Sequence, residues 1–167
     1  ENFDMQLLIS EILDKVSKLK TKKEKIAWLK EQNTDGLRMV IKSSFDPKKR
    51  WLLPTGDVPF TRNDAPAGTE HTDLHMEAKK LYHFIEGGNN TITQSKRENL
   101  FIQMLEGLQE NDADVLVAAK DKSLHRKFKG LSDNVVKEAF NWTDEYMLDE
   151  GERVVYPQAP GLASGPG

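Results

Sequence analysis

The chain contains no cysteine, which removes disulfide bridges, thiol nucleophiles and cysteine-ligated zinc from consideration. No apolar run approaches the ~20 residues that a membrane-spanning helix needs. The first residues lack the basic and apolar regions of a secretion signal, so the expected setting is the inside of a cell. Asn89-Asn90-Thr91 and Asn141-Trp142-Thr143 fit the glycosylation pattern but have no consequence without secretion. No Gly-x-Ser-x-Gly elbow occurs, and Gly87-Gly88 lacks the spacing and the following Lys-Ser/Thr of a phosphate-binding loop. The formal charge of -3 is too small to imply a nucleic-acid or membrane partner from bulk electrostatics.

What is present is charge and helical periodicity. With 31% charged and 37% hydrophobic residues, the 167-residue chain suits one soluble, mainly helical domain. The charge is uneven: residues 1–50 carry 12 Lys and Arg against 8 Asp and Glu, whereas residues 141–167 carry only Arg153 against five acids. Leu8, Ile9, Ile12, Leu13, Val16 and Leu19 recur at helical spacing and predict a helix from Met5 to Leu19, with Asp4 as its cap. Thr21 and Glu24 form a capping box for a second helix. A third runs from Asp35 to Ser44, and a fourth from Thr69 to Ile85 with Leu74, Ala78, Leu81, Tyr82 and Ile85 on one face. Ser95 and Glu98 predict a second capping box, opening a helix striped by Leu100, Phe101, Met104, Leu105 and Leu108. A shorter helix capped by Asn111 or Asp112 follows, and Ser132 caps the last one, bearing Val135, Val136, Ala139 and Phe140.

Between these lies a different kind of segment. Residues 46–68 hold four of the seven prolines, with Trp51, Leu53, Val58 and Phe60 among them, and predict an extended arm. Those apolar residues pack across the arm's own helices or hold another chain. The expected organisation is a helical domain over residues 1–142, of about six to eight short helices crossed by the arm. A flexible acidic, then Pro- and Gly-containing tail is expected over residues 143–167.

Candidate chemistry is sparse. His71 and His75 would share a face at i,i+4 on a helix and could hold a metal, with Glu70, Asp73 or Glu77 beside them. The zinc-protease pattern is absent, because Thr72 stands where a glutamate is needed, so no metal or cofactor is expected. The basic run Lys120, Lys122, Arg126, Lys127 and Lys129, with Leu124 and Phe128 as anchors and Gly130 as its stop, could grip phosphates without reading bases. The helices on either side of this run are too far apart for a helix-turn-helix.

Three stretches, GDVPFTRNDAPAGTEHTDL, SKRENLFIQMLEGL and KGLSDNVVKEAF, together resemble a family of small uncharacterised proteins from tailed phages, in particular T4-like phages of marine cyanobacteria. The likeness covers about Met5 to Trp142 and implies a phage gene; it carries over no activity and no site residues. The expected function is that of a non-enzymatic accessory or regulatory protein that binds phage or host machinery in the host cytoplasm. A protein partner is expected, with nucleic acid as a further contact and no membrane. The alternatives are a capsid or tail component of the virion, whose arm and tail wrap neighbouring subunits, and a metal-dependent enzyme at His71 and His75.

Overall fold

The apolar periodicity of the chain resolves into short helices, as the computed structural model shows for residues 6–66 and 71–149, which it describes. Among these residues there are eight α-helices and one 3-10 helix, and no β-strand beyond isolated bridges. In chain order the α-helices are α1 (Ile9–Lys18), α2 (Lys22–Glu31), α3 (Asp35–Phe45), α4 (Leu74–Glu77), α5 (Gln94–Gly107), α6 (Glu110–Lys120), α7 (Leu124–Lys127) and α8 (Asp133–Phe140). The 3-10 helix, Ala78–His83, continues directly from α4. The mainly helical, single-domain expectation holds.

α2 lies against α8, α3 against α6 and the 3-10 helix, and α1 against α6. The core they enclose includes Ile12, Leu13, Leu37, Ile41, Leu74, Leu105 and Leu116, all fully buried. Local signals set several helix ends. Thr21 and Glu24 close a reciprocal capping box, with Glu24 N–H 3.1 Å from the Thr21 hydroxyl and Thr21 N–H 3.2 Å from the Glu24 carboxylate. Ser132 accepts the Val135 N–H of α8 at 3.3 Å.

Other ends depart from expectation. α1 begins at Ile9, after the Leu8 N–H donates to the Glu11 carboxylate at 2.9 Å; Asp4 and Met5 lie outside the described residues. The cap of α5 is Thr93 rather than Ser95, because the Thr93 hydroxyl accepts the Lys96 N–H at 3.1 Å, and Glu98 instead receives the Gln94 amide. Gln109, not Asn111 or Asp112, caps α6. The helix expected from Thr69 to Ile85 is the largest correction. Its first residues, Thr69 and Glu70, lie outside the described residues. Thr72 is extended, its N–H bonded to the Gly107 carbonyl at 2.8 Å, and the helix starts only after Asp73 caps His75 N–H. The chain then tightens to three residues per turn. That period buries Ala78, Leu81 and Phe84 and turns Tyr82 outward, whereas a 3.6-residue period would have buried Tyr82.

The arm crosses its own domain. Leu52 N–H bonds the Phe84 carbonyl at 2.7 Å and Glu86 N–H bonds the Arg50 carbonyl at 2.9 Å, pairing Trp51 with Ile85. Trp51 donates its indole N–H to the Ser43 carbonyl at 2.9 Å and stacks on Phe84, which meets Phe101 edge-on. Past Trp142 the chain turns back: Asp149 N–H bonds the Asn141 carbonyl at 2.8 Å, and Tyr146 is buried beside Trp142. Packing thus extends beyond the composition boundary at residue 142, as far as Asp149; the rest of the acidic tail, residues 150–167, lies outside the described residues.

Candidate functional site

The two histidines that share a face in a helical reading are not on one helix. His71 is in the extended stretch before α4, and its two ring nitrogens are shielded without a hydrogen-bond partner among the described residues. His75, 5% exposed, is spent on the fold: Nε2 donates to the Leu7 carbonyl at 2.9 Å, and Nδ1 meets the Thr34 hydroxyl at 2.7 Å. Thr34 in turn accepts the Leu37 N–H and caps α3. With both nitrogens engaged, His75 ties α4 to the starts of α1 and α3 and has no lone pair free for a metal. Among the described residues no three His, Asp or Glu side chains gather in ligand geometry.

The same junction buries Asp112, whose carboxylate accepts the Ser10 N–H at 2.8 Å. Burial pushes its carboxyl above the usual value, opposed by the Ser10 hydrogen bonds and the nearby His75. The bond satisfies a free N–H at the start of α1, for which a local cap would otherwise have to supply the acceptor.

Of the two readings of the arm, packing on its own helices or holding another chain, the fold shows these residues packed on their own domain. Trp51 is buried, and Leu53, Val58 and Phe60 are partly buried against the core. The basic run divides in two. Lys120 is interior, its ammonium bonded to the carbonyls of Pro54 at 2.7 Å and Gly56 at 3.0 Å and to the Asp121 carboxylate. Lys122 donates to the carbonyls of Ser43, Asp46 and Lys49 at 3.0, 2.7 and 2.7 Å, closing the C-terminal end of α3. Both are structural fasteners rather than phosphate contacts. Arg126, Lys127 and Lys129 are exposed, held outward by buried Leu124 and Phe128.

A surface not expected from the sequence lies between α3 and the 3-10 helix. It is a groove of about 380 Å³ floored by Ala78, Leu81 and Ile85. Met39, 41% exposed, and Tyr82, 50% exposed, stand at its rim. Lys42, Lys49 and Lys79 also line it, and none of the three has an ion-pair partner among the described residues. Burial pushes the Lys42 ammonium below its usual value, and the neighbouring Lys49 and Lys48 add repulsion that Asp46 only partly opposes.

The wall carrying Tyr82 is rigidly built. Gly88 approaches the Tyr82 carbonyl so closely that a Cβ would stand 2.2 Å from its oxygen. Buried Arg97 fastens the same turn, donating to the carbonyls of His83 at 2.9 Å and Asn89 at 3.0 Å. The only local hint of this groove is Met39, which stands off the buried stripe of Leu37, Val40 and Ile41.

A family model described as a family of unknown function matches residues 12–126. The chain belongs to the DUF6433 family. The matched part runs from within α1 to α7, so the groove and the arm are inside the DUF6433 region, as are His75, Thr34 and Asp112 of the junction, while Leu7 and Ser10 precede it and α8 follows it. No curated protein and no solved structure matches the chain.

Proposed function

We propose that this DUF6433 protein is a non-enzymatic accessory or regulatory protein of a tailed phage, which works inside the host cell by binding a protein partner in the groove between α3 and the 3-10 helix. The observation that carries this reading is the combination of an apolar floor with three lysines lacking carboxylate partners among the described residues. That chemistry complements an acidic segment with an apolar anchor: the anchor displaces water from Leu81 and Ile85, while its carboxylates meet Lys42, Lys49 and Lys79. Tyr82 and Met39 supply contact area at little ordering cost, since a tyrosine has few rotamers to lose. The phage setting rests on the three resembling stretches.

The test places a photo-crosslinking residue at Tyr82 in the full chain, expressed in infected cells, beside the same protein carrying K42E and K79E. The expected result is a crosslink to an acidic, apolar-anchored segment of another protein, lost in the charge-reversed variant. A crosslink to a basic segment, or one that survives charge reversal, overturns the reading. A crosslink within the chain to residues 144–152 would make the acidic tail the occupant and overturn it too; capsid or tail proteins as the captured partner would replace the regulator by a particle component.

A further inference from the structure

The exposed half of the basic run does not stand alone, because the fold brings a second set of lysines to it. Lys25 reaches from α2 to the turn between α1 and α2, where its ammonium donates to the Leu19 carbonyl at 2.5 Å. On the way it passes over Gly130, where a Cβ would stand 2.3 Å from the Lys25 Cε. Gly130 also has φ +87, a backbone conformation that disfavours any other residue there. One lysine stem thus spans the turn that carries Lys20 and the turn that carries Lys129. Lys23 lies in the first turn of α2 on the first side, and Arg126 and Lys127 belong to α7 on the second.

Lys20, Lys23, Arg126, Lys127 and Lys129 are all exposed, and none has an ion-pair partner among the described residues. The neighbouring acids are each engaged elsewhere. Asp14 pairs with Lys18 and Glu138 with Lys22, Asp133 pairs with Lys137, Glu24 is held in its capping box, and Glu11 accepts the Leu8 N–H. No carboxylate among the described residues stands within ion-pair distance of the five cations, although Glu11 and Asp14 lie beside Lys127 and keep their charge.

We infer that Lys20, Lys23, Arg126, Lys127 and Lys129 form one surface that binds the phosphate backbone of duplex nucleic acid without reading its sequence. Four of the five are lysines, point charges suited to phosphate rather than to the paired edges of a base. Among the described residues this surface offers no stacking platform for single strands: Phe128 is buried and Trp28 is covered by the Lys15 ammonium, 4.0 Å from its ring centre. The inference is independent of the groove reading, since the two share no residue.

The test is binding of a fluorescent duplex DNA, followed by anisotropy as salt is raised. With five phosphates neutralised, log K should fall against log salt with a slope near about -4.5, a loss of roughly 500-fold between about 50 and 200 mM. Glutamine at all five positions should flatten that slope and leave the thermal transition in place, because none of the side chains is buried. K127Q/K129Q should lower the slope by about 2, whereas K42Q/K79Q, which removes the same charge elsewhere, should leave it unchanged. An unchanged slope in the five-position variant overturns the inference, as does an equal loss from K42Q/K79Q. Tighter binding to single strands, or binding to phosphatidylserine–phosphatidylcholine vesicles in place of duplex, overturns it as well.

Discussion

Lys122 occupies a position where glycine is the easier residue, and the cost it accepts can be weighed against what its ammonium does. The residue follows α6 with φ +56, in the left-handed region. Ser123 N–H bonds the Ala118 carbonyl at 2.8 Å and Lys122 N–H bonds the Ala119 carbonyl at 3.0 Å, which together make a Schellman ending. A non-glycine residue there costs about 1 kcal/mol. Against this stand three bonds from a charged donor to carbonyls that end α3. Each would be worth roughly 1.5–3 kcal/mol if fully buried. Lys122 is half-buried, burial lowers its pKa, and a freed side chain regains up to ~2 kcal/mol of entropy, so the net is nearer about 3 kcal/mol. Lys122→Met, which keeps the stem and the strain, should therefore lose about 3 kcal/mol, a fall of roughly 6–12 °C in Tm for a chain of this size. Lys122→Gly relieves the strain and should lose only about 2 kcal/mol. Urea unfolding monitored by circular dichroism gives both values. A Lys122→Gly variant more stable than the natural chain would show that the three carbonyl bonds contribute less than the strain, and would refute the fastening role.

Asp112 gives a pH prediction whose sign follows from burial. A carboxyl whose folded pKa is raised contributes stability that is fully present below the ordinary aspartate value of about 3.9 and is lost as pH rises through the folded value. Asp112→Asn keeps an acceptor for the Ser10 N–H, so it should remove that decline and equal or exceed the natural stability at pH 7. Asp112→Ala leaves the donor unmatched and should cost about 1–3 kcal/mol, read by urea unfolding across pH. Gly36→Ala tests a close approach: a Cβ there would stand 2.1 Å from the His75 carbonyl oxygen, so α3 and α4 must separate. The expected loss exceeds about 3 kcal/mol, and a Tm within a few degrees of the natural chain would refute the contact.

The elements legible in the sequence are those whose causes are local. Thr21 with Glu24, and Ser132 with Val135, are caps closed within one turn, and the Phe101, Met104, Leu105 stripe is a property of one helix. Ser95 misled because two hydroxyls compete within three residues, and the earlier one, Thr93, has the extended backbone a cap requires. The helix over 69–85 failed for a non-local reason: Thr72 pairs with the chain beside Leu108, a partner that no window around Thr72 contains. The groove is hidden in the same way. Its lysines come from α3, from the start of the arm and from the 3-10 helix, and each reads separately as an ordinary solvated charge.

The basic run shows how a compositional feature can hold two unrelated kinds of residue. Leu124 and Phe128, four apart and both buried, fix which way the segment faces. Between and after them His125, Arg126, Lys127 and Lys129 are left in solvent. Before them Lys120 ends α6 facing inward, where it gathers the carbonyls of Pro54 and Gly56 and anchors the proline-rich arm, and Lys122 closes α3. Charge neutralisation at Lys120 or Lys122 would therefore uncap buried carbonyls and loosen the arm or α3, and any loss of binding that followed would report folding. Neutralisation at Arg126, Lys127 and Lys129 leaves those carbonyls satisfied and changes only the field at the surface. Glutamine across all five residues from Lys120 to Lys129 would mix the two effects. The residues that belong with the exposed half are instead Lys20 and Lys23, about a hundred positions earlier in the chain, joined to it by the stem of Lys25 lying across Gly130.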